Sequence, residues 1–107
     1  VDTALKAIAD PKRREILRLV WSSEMPATDI ASHFDGVTRS AISQHLGVLR
    51  QANLIRERRV GNRRLYVANV DEMARVRTFL DQYWSGGLDR LKTAAEAAQR
   101  KKDNENG

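Results

Sequence analysis

Hydrophobic positions recur at the helical period along most of this chain and take up a strand-like pattern in one stretch. Residues 3–9, TALKAIA, place Leu5 and Ile8 one turn apart. Residues 10–23, DPKRREILRLVWSS, open with Asp10 as a cap. Pro11 suits the first helical position, where the missing N–H has no partner in any case. Ile16, Leu17, Val20 and Trp21 then fall on one side. Met25 and Pro26 break the pattern. Residues 27–34, ATDIASHF, predict a short helix with Ile30 and Phe34 on one face. After the turn Asp35-Gly36-Val37, Thr38 is a ready N-cap for a helix from Arg39 to about Gln51. Two short helices joined by a tight turn predict a helix-turn-helix.

The pattern then changes. In LIRERRVGNRRLYVAN, residues 54–69, two β-prone runs flank Gly61-Asn62, a pair that tolerates the positive φ of a two-residue hairpin turn. An arginine-rich hairpin in this position reads as a wing. From Asp71 to about Arg100 the helical period returns, with a stripe of Met73, Val76, Leu80, Tyr83, Trp84, Leu88 and Leu91. Gly86-Gly87 interrupts it, and such a pair either breaks a helix or lets another backbone approach closely. Residues 101–107 are expected to be a disordered tail. The whole reads as one mainly α domain over 1–100 with a small β-hairpin, in the order α-α-α-α-β-β-α.

Composition sharpens this picture at two points. There is no cysteine, which excludes disulfides, thiolate metal sites and thiol redox sensing. The net charge is +5, and it is unevenly placed: residues 36–68 hold seven arginines against Glu57 alone, while the remainder holds twelve basic and thirteen acidic groups. Such a patch seeks a polyanion. No apolar run is long enough for membrane insertion, nothing at the start of the chain marks it for export, and a cytoplasmic location is expected.

On a helical wheel, Thr38, Ala41, Ile42, His45, Leu46, Val48 and Leu49 share one arc. Arg39, Ser40, Ser43, Gln44, Gly47 and Arg50 share the other. A solvent-facing helix ordinarily mixes Glu with Lys. This outer arc has no acid, and no acid occurs between Asp35 and Glu57. Arg, Gln and Ser are the side chains that bond to base edges in a major groove about as wide as a helix. Arg39, Ser40, Ser43 and Gln44, nearest the helix start, are the expected base readers. Thr38, His45 and Arg50 stand at the margin: Thr38 suits a cap, His45 a packed hydrogen-bonded site, and Arg50 a phosphate. Arg58, Arg59, Asn62, Arg63 and Arg64 form the wing's expected contact to phosphates or a narrow minor groove.

In these segments the chain resembles the ArsR-type winged-helix repressors. The resemblance rests on LKAIADPKRREILRLV, on TDIASHFDGVTRSAISQHLGVLRQANLIRERRVGNRRLYV and on the long final helix, together nearly the whole chain. It implies a homodimer built from the first and last helices, binding a near-palindromic duplex operator and repressing its own or a neighbouring operon. The expected dimer surface comprises Leu5, Ile8, Met73, Val76, Leu80, Tyr83, Trp84, Leu88 and Leu91. Metal-sensing relatives carry a Cys-x-Cys pair where this chain has Pro26 and Thr28. The final helix offers Asp71, Glu72, Asp81 and Asp89 but no histidine, so neither a metal site nor a cofactor is expected. The segment YWSGGLDRL is similar to the SdpR-like branch, some of whose members are relieved when a membrane protein sequesters them. The resemblance therefore implies an inducer that is a protein or a small molecule, or no inducer at all.

Other functions fit less well. Catalysis lacks a phosphate-cradling glycine loop, paired carboxylates in an apolar setting and a nucleophile beside a base. RNA binding favours aromatic stacking platforms, yet of the six aromatic residues only Tyr66 lies near the wing. A winged helix acting only as a protein-interaction module would carry apolar residues on the outer arc, and none is there.

Overall fold

The computed structural model describes residues 1–106. The side chains of 84, 85, 88, 105 and 106 lie outside the described residues, and with them the expectations for Trp84 and Leu88. Helix α1 spans Asp2–Ile8 and α2 spans Pro11–Leu19. The Asp10 carboxylate caps α2 by accepting from the amides of Lys12 and Arg13 at 2.8 and 3.3 Å. Two neighbouring guanidiniums finish α1: Arg13 Nε donates to the Ala7 carbonyl at 2.6 Å and Arg14 Nη1 to that of Ile8 at 2.8 Å.

Helix α2 stops at Leu19, short of the Ser23 that periodicity suggests. The cause is tertiary. The Val20 carbonyl accepts from the Ala68 amide, 2.9 Å away. Trp21 is left exposed outside the helix.

Met25 and Pro26, which read as a break, form a short strand β1. It joins β2 (Ile55–Val60) and β3 (Arg63–Ala68) in an antiparallel sheet of order β1-β3-β2, so the expected hairpin has a third strand. Met25 pairs with Tyr66 and Pro26 with Leu65. A proline belongs on such an edge, because it has no N–H to donate to a ladder. The hairpin closes at Val60 opposite Arg63. Gly61 takes the positive φ of +59° that its turn needs.

Helices α3 (Ala27–Ser32) and α4 (Arg39–Gln51) make the helix-turn-helix. Asn53 (φ 61°) ends α4 in the left-handed conformation. Its amide bonds back to Arg50 and that of Leu54 to Leu49, both at 2.9 Å, which turns the chain sharply into the sheet.

Ile16, Val20, Ile30, Ile42, Leu49 and Leu54 are fully buried at the centre. Each contributes on the order of 1.5–3 kcal/mol by leaving water. Asn69 is buried and fully used: its amide donates to Leu54 O, its Nδ2 to Asn53 O, and its Oδ1 accepts from Arg56. It ties the base of the sheet to the end of α4.

Helix α5 spans Val70–Asn106. It runs without interruption through Gly86-Gly87. A Cβ built on either glycine would meet nothing within 4 Å among the described residues of this chain, and the helix is not broken there. The helix also continues where a disordered tail was expected from residue 101. The Ala-rich run before it favours helix, and Gln99 donates to Asp103 one turn on at 3.1 Å.

The chain divides into two units, 1–76 and the part from 77 onward. In the first, Val76 is buried in the core, and Leu5, Ile8 and Met73 pack half-buried against it. Val76 therefore leaves the expected dimer surface. It is needed to close the core of its own chain. In the second, Phe79 and Tyr83 meet edge to face with ring centroids 5.4 Å apart. Leu80, Tyr83 and Leu91 are exposed on the same side of α5.

Candidate nucleic-acid interface

Helix α4 carries the side chains expected to read bases. Its start is set by Thr38, whose Oγ1 accepts from the Ala41 amide at 3.1 Å, as its capping role required. Ile42, Leu46 and Leu49 form the buried seam. This seam is narrower than the wheel suggests. Val48, placed on the core arc by its angle, is 38% exposed, because the packing is met by positions spaced four and three apart.

Opposite the seam, Arg39, Ser40, Ser43 and Gln44 are all exposed. None of the four has a hydrogen-bond or charged partner among the described residues, so their donors and acceptors are free. His45 lies between the faces. Arg13 Nη1 stands 3.4 Å from its Nδ1. A guanidinium only donates, so in this contact Nδ1 would be the acceptor. His45 is thus a structural joint between α2 and α4.

The wing is cationic in composition but largely paired in space. Arg58 makes a two-point bond to Glu24, Nε to Oε2 at 3.0 Å and Nη2 to Oε1 at 2.9 Å. That hydrogen bond holds the Glu24 carboxyl below its ordinary value, against the opposing effect of burial. Arg56 lies 3.7 Å from Asp71 and bonds to Asn69. Arg64 Nε lies 3.3 Å from Glu57 Oε1, and Arg50 Nη1 lies 2.8 Å from Oε2 of the same carboxylate.

Among the described residues, Arg39, Arg59 and Arg63 have no acidic partner. Acids thus stand beside the arginines of the wing, whereas the outer face of α4 has none among the described residues. Glu24 and Asp71, distant in sequence, are brought to the arginines by the sheet and by the first turn of α5.

Two clefts connect the helix and the wing. Arg39 and Ser43 line one with Ala27, Thr28 and Ala31, where α3 meets α4. Asn62, Arg63, Arg64 and Tyr66 line the other with Pro26, Ala27 and Thr28. Ala27 and Thr28 line both, so the two clefts lie side by side at the start of α3. The sequence alone assigns no interface role to Thr28, Glu24, Glu57, Asn53 or Asn69. Only Asn53 carried a local signal, an asparagine directly after a helix end.

Known proteins share this arrangement. The model of bacterial regulatory proteins of the arsR family matches residues 10–57. The HTH-type transcriptional regulator Rv2034 of Mycobacterium tuberculosis is 37% identical over 81% of this chain and 80% of its own length. The transcriptional repressor SdpR of Bacillus subtilis is 42% identical over 64% of this chain and 76% of its own. A crystal structure described as a possible transcriptional regulator for arsenical resistance superposes with a TM-score of 0.73 at 38% identity, covering 85% of this chain and 93% of that one. With a helix-turn-helix and a three-stranded wing beside it, the chain belongs to the arsR family of bacterial regulatory proteins, which are DNA-binding transcriptional regulators.

Proposed function

We propose that two copies of the chain bind a near-palindromic duplex operator and repress their own or a neighbouring operon in the cytoplasm. In each copy α4 enters the major groove. Arg39, Ser40, Ser43 and Gln44 meet base edges, and Arg59 and Arg63 meet phosphates beside the groove. The observation that carries this reading is the free face of α4: four exposed side chains, every one able to hydrogen-bond and none spoken for. Thr28, exposed and lining both clefts, would meet a phosphate between the two.

The dimer reading is supported by α5. The stripe that is covered at Met73 and Val76 is bare at Leu80, Tyr83 and Leu91, where exposures are 39%, 66% and 68%. A second copy would cover it, and two-fold symmetry would set the two reading helices about 34 Å apart. Relief of repression is assigned to a protein or small molecule, because the chain has no cysteine and its histidines serve elsewhere.

The test is selection of bound duplexes from a random library, followed by sizing of the complex. An inverted repeat bound by two copies is expected. Leu80→Glu should yield monomers with much weaker operator binding. Enrichment of no sequence, or binding by a single copy, would overturn the reading.

A further inference from the structure

Glu57 stands out because it is the one acid in the cationic stretch and it is shared by two arginines. Side chains alternate along β2, so Glu57 lies on the same sheet face as buried Ile55 and exposed Arg59. Tyr66, directly opposite on β3, is buried beside it on the same face. The Glu57 side chain is 19% exposed, and those of its partners Arg50 and Arg64 are 51% and 53% exposed. Arg50 comes from the last turn of α4 and Arg64 from the hairpin, so the carboxylate joins the reading helix to the wing. Glu57 Oε2 is inaccessible to solvent and accepts no well-aligned hydrogen bond, although Arg50 Nη1 lies 2.8 Å away.

Exposed ion pairs contribute little to stability. The larger effect of this carboxylate is on where positive charge is available. Each arginine that reaches a phosphate releases counterions and tightens binding to any sequence. A carboxylate placed between Arg50 and Arg64 neutralises one charge, tethers both guanidiniums and repels an approaching phosphate. Sequence-independent attraction is thereby left to Arg59 and Arg63, and the free side chains of α4 decide among sequences.

We propose that Glu57 is a specificity-determining positioning residue: it withholds Arg50 and Arg64 from the DNA backbone and so keeps non-operator affinity low. This rests on the DNA-binding reading above. The test measures binding of the full chain to a random-sequence duplex over a series of NaCl concentrations. Glu57→Gln should bind that duplex more tightly and steepen the logarithmic salt slope by about one to two units, at about 0.9 per added phosphate contact. Arg64→Gln alone should leave the slope of the original chain unchanged, yet reduce it by about one unit in the Glu57→Gln background. In a chain carrying Arg50→Gln and Arg64→Gln, the Glu57→Gln change should not steepen it. A merely structural role would move thermal stability and not the slope.

The proposal is overturned if Glu57→Gln leaves the slope as it was, if Arg64→Gln lowers it equally in both backgrounds, or if Glu57→Gln steepens it without the two arginines. Absence of any salt-dependent duplex binding by the unaltered chain would instead remove the DNA-binding reading itself, and the proposal with it.

Discussion

The outer face of α4 and the neighbouring wing have the same sign of charge, yet they differ in how free that charge is. On α4, Arg39 and its three polar neighbours have no partner among the described residues. In the hairpin, Arg56, Arg58 and Arg64 are each held by an acid, and Arg59 and Arg63 near the tip are not. A surface that discriminates needs donors with nothing else to bond. A surface that supports needs a fixed shape, and ion pairs supply it at the cost of net charge. The number of arginines in a segment therefore overstates the number of phosphates it will neutralise.

Substitutions on the two surfaces should separate these roles. The largest effect is expected on α4: Arg39→Ala or Gln44→Ala should lose roughly 1–3 kcal/mol on a selected operator while hardly changing affinity for random duplex. Competition binding with both DNAs measures this, and an equal loss on both would dissolve the contrast. Next, Thr38→Ala should lower folding stability by about 1 kcal/mol through loss of the helix cap, whereas Ser43→Ala should leave stability alone and weaken operator binding. Denaturant unfolding read beside DNA titration distinguishes the two.

Smaller still, Arg59→Ala or Arg63→Ala should weaken binding to all sequences alike and flatten the salt slope, so that the loss of affinity between 50 and 200 mM salt shrinks by roughly threefold for one phosphate contact. Arg58→Ala should have less effect on that slope, because its guanidinium already faces Glu24.

The smallest effect concerns pH. The hydrogen bond from Arg58 outweighs burial and lowers the Glu24 carboxyl from its ordinary 4.5 in the folded chain. Its contribution is therefore present above that value and lost as pH falls through the lowered one. Thermal unfolding of Glu24→Gln against the unaltered chain should differ slightly at pH 7 and converge under acid. A difference that grew on acidification would contradict the pairing.

Much of this interface is legible in the order of residues. Asp10 and Pro11 announce α2, Thr38 announces α4, and Gly61-Asn62 marks the hairpin, because each acts through bonds to residues within one turn. The free face of α4 follows from the same local rule, since a helix displays a fixed arc once its apolar seam is set. What escaped was non-local. Met25-Pro26 gave no strand signal because its partners, Tyr66 and Leu65, lie far along the chain. The end of α2 was misplaced because the Val20 carbonyl is taken by Ala68. Gly86-Gly87 suggested a break by intrinsic propensity alone, and the favourable helix on both sides carries through it.

By itself the sequence determined the helix caps, the hairpin turn and the acid-free arc of α4, all products of backbone geometry over a few residues. Tertiary structure alone decided which arginines remain free. Glu24 meets Arg58 across 34 positions, and Glu57 meets Arg50 only because Asn53 folds the strand back beside the helix it follows. Ion pairs form between whatever charges the fold brings within a few ångströms, so distance in space and not in sequence settles them.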